Sequence, residues 1–149
     1  MKNTTTAKKK ELAKLLNYPE VKSWRTLMYS FKAIFSQLEK GLMAEGCSVS
    51  RFQIMFYLYF EGSMQAIEIA KRLVVTRGNI STFLKRMVAD GLIKPSVQKG
   101  SKRPEFFLTK KGTTFFEKIL PAHIERVQKY TPSLNNEALK TLNDTIQLF

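Results

Sequence analysis

Residues 66–93 read AIEIAKRLVVTRGNISTFLKRMVADGLI, and their periodicity decides the fold. Ala66, Ile69, Ala70 and Leu73 recur at steps of three and four, which predicts a short helix with Lys71 and Arg72 outward. After Val74 and Val75, Thr76 is fitted to cap a second helix that runs to Asp90, and Gly91 closes it. Ile80, Phe83, Leu84, Met87 and Val88 follow i, i+3, i+4, i+7, i+8 and define one buried face. The outer face is then Arg77, Gly78, Asn79, Ser81, Thr82, Lys85 and Arg86. It is polar and basic, with no acid before Asp90. Ala70 is small enough to let the two helices cross closely, so that Ala70 and Ile80 share one core.

Downstream, Leu92 to Gln98 lose the helical period, and Pro95 argues for an edge strand. Residues 99–104, KGSKRP, form a basic turn, and Glu105 to Leu108 a second strand with Phe106 and Leu108 on one face. Two strands around a glycine-containing loop predict a hairpin. Thr109 caps a helix from Lys110 towards Tyr130, kinked at Pro121. A last helix, about Asn136 to Phe149, carries Leu139, Leu142, Ile146 and Phe149 on one stripe.

Upstream, Ser50 is a fitting cap for a helix to about Phe60. Its Phe52, Ile54, Met55, Phe56, Leu58 and Tyr59 are apolar almost all round, which predicts burial inside the fold. Val21 to Glu45 form a longer helix with Trp24, Met28, Phe31, Phe35, Leu38 and Leu42 on one stripe, ended by Gly46. Residues 1–20 read as a basic tail containing Lys8, Lys9, Lys10 and Lys14. It is a frayed end, or a short helix carrying Leu12, Leu15 and Leu16 inward. The expected fold class is mainly α with a small β-hairpin wing.

The chain has 149 residues, the size of one ordinary domain. Twenty-five Lys and Arg against twelve Asp and Glu give a formal charge of +13. Such a field favours polyanions, nucleic acid before an acidic membrane surface. No run of about 18 apolar residues exists, so no membrane partner is expected. The lysines near the N-terminus are not followed by an apolar core, so no secretory signal is read there. The single cysteine, Cys47, excludes an internal disulfide and fits a reducing, cytoplasmic compartment. Its nearest basic neighbour is Arg51, so an inert, partly buried thiol is expected rather than a redox switch. One cysteine and one histidine, with no glycine-rich phosphate loop, metal-ligand spacing or nucleophile elbow, leave no enzyme, metal or cofactor to expect.

The outer face of the second helix has the chemistry that reading a major groove requires. The groove admits a helix and presents base-edge donors and acceptors to Arg, Asn, Ser and Thr. The N-terminal part of such a helix makes most base contacts. Arg77 suits guanine and Asn79 adenine, and the amides at Thr76 and Arg77 suit a phosphate. Thr76, Gly78, Ser81, Thr82, Lys85 and Arg86 complete the expected DNA-binding helix. The hairpin turn adds Lys99, Ser101, Lys102 and Arg103, which fit the negative minor groove. A non-specific architectural nucleic-acid-binding protein is the alternative, but Asn79 and Ser81 exceed what phosphate binding needs. A winged helix that binds only proteins is a further alternative, which basic residues on both helix and wing oppose.

From Val21 to Phe149 the chain resembles the MarR family of winged helix-turn-helix transcription regulators. The resemblance rests on IAKRLVVTRGNISTFLKRMVADGLI (69–93), FFLTKKG (106–112), ILPAH (119–123) and the leucine-striped C-terminus. Two positions depart from it. The wing has Gly100-Ser101-Lys102-Arg103 in place of an Asp-x-Arg element, and Val74 stands where the family often has glycine. The resemblance implies a single domain over 21–149. Within it, 21–45 and 113–149 would be dimerisation helices and 50–109 the DNA-binding lobe. It further implies a homodimer held by Trp24, Phe31, Phe35, Leu139, Leu142, Ile146 and Phe149. Two recognition helices would enter successive major grooves of a palindromic operator, about 34–36 Å apart. Repression, relieved by a small aromatic or acidic effector, is the implied outcome. Trp24, Tyr29, Tyr57 and His123 are the candidate pocket residues, with core or interface packing as their competing role.

Overall fold

A computed structural model describes residues 2–73, 76–97 and 103–147, and no side chain is described for residues 2–5, 77 and 146. Contacts divide the chain into two compact units, residues 1–37 and 38–149. The first holds α1 (Lys2–Leu15) and most of α2 (Pro19–Ala44). The expected tail is therefore helical over most of its length. Its leucines do not turn inward: Leu12, Leu15 and Leu16 are all about half exposed. From residue 6 to residue 37 no side chain is fully buried. Two helices alone cannot enclose a side chain on every side, and the stripe on α2 stays exposed from Trp24 to Phe35 for the same reason. Trp24 and Phe31 lie open, while Phe31 and Phe35, one turn apart, place their rings 5.5 Å apart.

The second unit continues with α3 (Val49–Phe60), β1 (Met64–Gln65), α4 (Ala66–Leu73) and α5 (Arg77–Ala89). It is completed by β2 (Ile93–Ser96), β3 (Glu105–Leu108), α6 (Lys110–Tyr130) and α7 (Asn136–Ile146). Leu42, Cys47, Ile54, Met55, Ile69, Ile80, Met87, Ile93, Phe116 and Ile119 are buried almost completely and form the centre of one core. Gly46 ends α2 with φ 72°, a left-handed conformation that glycine adopts without strain.

Four local expectations need correction. The cap of α3 is Ser48, whose extended backbone lets its hydroxyl accept from the Arg51 amide at 3.3 Å; Ser50 already lies inside the helix. Of the apolar residues on α3, Phe52, Ile54, Met55 and Leu58 are buried, but Phe56, Tyr59 and Phe60 are exposed. They gather edge-on and tilted around the buried Phe116, and the Tyr59 hydroxyl donates to Glu117 Oε1 at 2.9 Å. A fully apolar surface on a helix needs cover on all sides, and the second unit covers only one. The hairpin is in fact a three-stranded antiparallel sheet, ordered β1-β3-β2. Met64 opposes Phe106, and Phe106 opposes Pro95 on the far side. Finally, α7 stops at Ile146, with Asn135 as its cap.

Candidate nucleic-acid interface

The helix pair forms as the residue spacing implies. Glu68, three residues after Gln65, reaches back to accept the Gln65 amide at 2.7 Å and so opens α4. Ile69 and Ala70 are buried on its inner face, and Lys71 and Arg72 are outside. Thr76 has the extended backbone of a cap, and its hydroxyl accepts from the Asn79 amide at 3.4 Å. The Ile80 amide bonds the Thr76 carbonyl at 3.1 Å and begins the α5 ladder. Ile80, Leu84 and Met87 are buried, Phe83 is half-buried, and Val88 at the end of the stripe is 37% exposed.

With that face committed to the core, Gly78, Asn79, Ser81, Thr82, Lys85 and Arg86 are all exposed. Thr76 is exposed beside them. The backbone of Arg77 begins α5, and its side chain lies outside the described residues. The Thr82 hydroxyl donates to the Gly78 carbonyl one turn back, at 3.3 Å. Three arginines elsewhere in the second unit are paired with acids: Arg72 with Glu61, Arg51 with Asp90, and Arg126 with Glu45. Arg72 also lies over the Tyr57 ring, 5.6 Å from its centre. Asp90, at the far end of α5, is thus already paired. What remains on α5 is a positive, hydrogen-bonding strip.

Beside this strip runs a groove of about 630 Å³ between α4, α5 and the sheet. Ile67, Ile80, Leu84 and Phe106 supply apolar lining, and Lys85 and Arg103 supply cations. Of the expected wing residues, Lys99, Ser101 and Lys102 lie outside the described residues, and Arg103 is exposed at the start of the return towards β3. Lys94 on β2 is a further exposed cation that the sequence reading did not include. Its signal was available, because an edge strand interrupted by proline leaves the residues after Ile93 facing solvent.

The C-terminal end of α5 is locked to the start of α6. The Leu92 amide bonds the Met87 carbonyl at 2.9 Å, and the Thr109 amide bonds the Leu92 carbonyl at 3.0 Å. The Thr109 hydroxyl donates to the Gly91 carbonyl at 2.7 Å and accepts from the Gly112 amide at 3.0 Å. Lys111 Nζ donates to the Asp90 carbonyl at 2.8 Å. A Cβ on Gly112 would lie 2.0 Å from the Leu92 carbonyl oxygen, so no larger residue fits. The sequence LTKKG is therefore a joint: threonine ties the strand end, lysine ties the helix end, and glycine lets the backbones touch.

Residues 47–103 match the model of the MarR family. Over this stretch the winged helix-turn-helix is similar to those of the MarR family. The match covers α3, β1, α4, α5 and β2, the stretch built around the strip just described. A curated relative, the uncharacterized HTH-type transcriptional regulator YkoM of Bacillus subtilis (strain 168), is 23% identical over 107 residues. That alignment spans 71% of this chain and 70% of YkoM. Among solved structures, AbsC, a MarR family transcriptional regulator from Streptomyces coelicolor, superposes with a TM-score of 0.81 at 22% identity. It covers 88% of this chain and 91% of AbsC. Sco3205, a MarR family regulator from the same organism solved in complex with DNA, gives 0.79 at 21% identity, covering 89% and 87%. The MarR-type fold thus extends beyond the stretch that the family model matches.

The candidate effector residues have other neighbours. Trp24 and Tyr29 are 60% and 68% exposed in the first unit. In the second, Tyr57 carries Arg72 on its ring, and His123 packs on Phe52 with ring centres 4.3 Å apart. The buried His123 Nδ1 has no hydrogen-bond partner among the described residues. Burial, and then the Arg126 charge, hold the imidazole below its ordinary pKa, with Glu45 opposing. Cys47 is fully buried, and burial pushes its thiol up to about 11. The weaker opposing pull of Arg51 does not restore an ordinary thiol, which fits the inert role expected for it.

Proposed function

We propose that this chain is a sequence-specific double-stranded DNA-binding transcription regulator, acting in the cytoplasm as a homodimeric repressor. The observation that carries the reading is the outer face of α5. It is a capped helix with a buried inner face and six exposed residues that include both cations and neutral hydrogen-bonding groups, with no acid among them. The neutral groups matter, because phosphate contacts alone call only for charge, whereas base edges call for paired donors and acceptors. Arg77 and Asn79 are the proposed base readers. Lys85, Arg86 and Arg103, with Lys99 and Lys102, are the proposed phosphate and minor-groove contacts. The likeness to Sco3205, solved with DNA, supports the same use of the fold.

The exposed apolar side chains support the dimer. Trp24, Phe31 and Phe35 in the first unit, and Leu139 and Leu142 in the second, are large apolar groups left open in a single copy. Ile146 and Phe149, proposed for the same interface, fall outside the described side chains. A small aromatic or acidic effector enters the proposal through the family resemblance, and not through a pocket of the four aromatic candidates. Selection from a randomised duplex pool at moderate salt, followed by sequencing, tests the function. A two-fold symmetric motif is the expected result. Retention without a motif would place the chain among architectural proteins, and no retention would remove DNA from its function.

A further inference from the structure

Gly78 has no structural reason to be glycine. It lies in the first turn of α5, its φ is an ordinary helical one, and a Cβ added there meets nothing within 4 Å among the described residues. Glycine weakens a helix interior relative to alanine, so the fold alone would favour a side chain at this position. Gly112 makes the contrast, since there a Cβ would strike a carbonyl. The space at Gly78 is kept open towards the outside.

One turn on, the same face carries Thr82. Its hydroxyl is turned back onto the Gly78 carbonyl, which uses its only proton. The side chains of the pair therefore offer a ligand no donor, only the acceptor oxygen of Thr82. They form a small step, one residue without a side chain beside one that carries a methyl group. Asn79, Ser81, Lys85 and Arg86 are its exposed polar neighbours on α5. In a major groove the base feature that such a step complements is the 5-methyl group of thymine, the apolar projection on that wall.

We propose that Gly78 and Thr82 together read a thymine methyl, with Gly78 acting by the room it leaves. The proposal rests on the DNA-reading role of α5 given above and names one base within it. The test uses the duplex that the wild-type chain selects, with each thymine replaced in turn by deoxyuridine, which removes only the methyl. Wild type should lose affinity several-fold at one thymine in each half-site. Gly78→Ala puts a methyl into the same space. It should melt at the same temperature as wild type or higher, bind the thymine duplex on the order of tenfold more weakly, and bind the deoxyuridine duplex nearly as well as wild type does. Thr82→Ser keeps the hydroxyl and removes the methyl, so it should narrow the thymine-to-deoxyuridine ratio. Indifference of wild type to every deoxyuridine overturns the proposal. So does an equal loss by Gly78→Ala on both duplexes, or a lowered melting temperature, which would mean that the space is not open. A wild type that selects no motif overturns the function itself, which is a different result from a motif read without its methyls.

Discussion

Gly112 and Gly78 are two helical glycines with opposite meanings, and only the structure separates them. At Gly112 the Leu92 carbonyl occupies the place a Cβ would take. Gly112→Ala should therefore destabilise the fold by about 1–3 kcal/mol, read as a lowered denaturation midpoint. An unchanged midpoint would mean that α6 slides away at no cost. His123 gives a pH signature. Its imidazole is held neutral by burial, so protons bind more readily to the unfolded chain. The stability it contributes is present above pH 6.5 and is lost as pH falls below that value. Chemical denaturation at about pH 8 and about pH 5.5 should show the fall, and His123→Gln should flatten it. Cys47, with its pKa near 11, should be alkylated slowly at neutral pH while folded and quickly once unfolded. At this scale the sequence was informative where a residue has one common use, as with Thr76 and Thr109 as caps. It was silent where the meaning depends on what lies opposite, as at Gly112, or on what does not, as at Gly78.

The proposed function divides DNA contacts between base reading by α5 and charge on α5 and the wing, and the two should respond differently to mutation. Arg77→Ala should cost about 1–3 kcal/mol of binding to the selected duplex and relax preference at one position. Lys102→Ala should weaken all sequences alike and reduce the salt slope by about one unit. Titrations of both variants on selected and random duplexes at several salt concentrations separate the roles, and sequence-blind losses from both would sink Arg77 as a reader. The helix pair was legible because both inner faces carry a clear 3.6-residue period. Ser48 was passed over for Ser50 because both precede the same apolar run, and only backbone geometry tells a cap from a first-turn residue. β1 was missed because two residues are too short to show alternation; Met64 and Gln65 are strand only because β3 pairs with them.

For the whole molecule, the open aromatic residues of the first unit carry the quaternary prediction. Phe31→Asp should shift the mass in sedimentation equilibrium from dimer to monomer, because a charge would replace an aromatic ring in a surface that needs cover. Binding to the two-fold duplex should weaken sharply, while binding to a single half-site should change little. A monomeric wild type would contradict the proposed interface. From α2 to α7 the order of elements, β1 apart, could be read from the sequence, since it rests on local patterning. The division into two units could not, because the stripe on α2 looks the same whether its cover comes from this chain or from another.

The edges of the small sheet have a consequence for how the protein behaves when crowded. On one side lies β1, only two residues long, and on the other β2, where Pro95 presents no amide. Neither offers the long row of free backbone groups on which a stray strand could grow. At high concentration the lobe therefore offers, among its described residues, no long template for fibrous association. Pro95→Val would restore the missing donor and lengthen that row, and its cost would appear as slow turbidity on storage while the freshly purified protein remained fully able to bind.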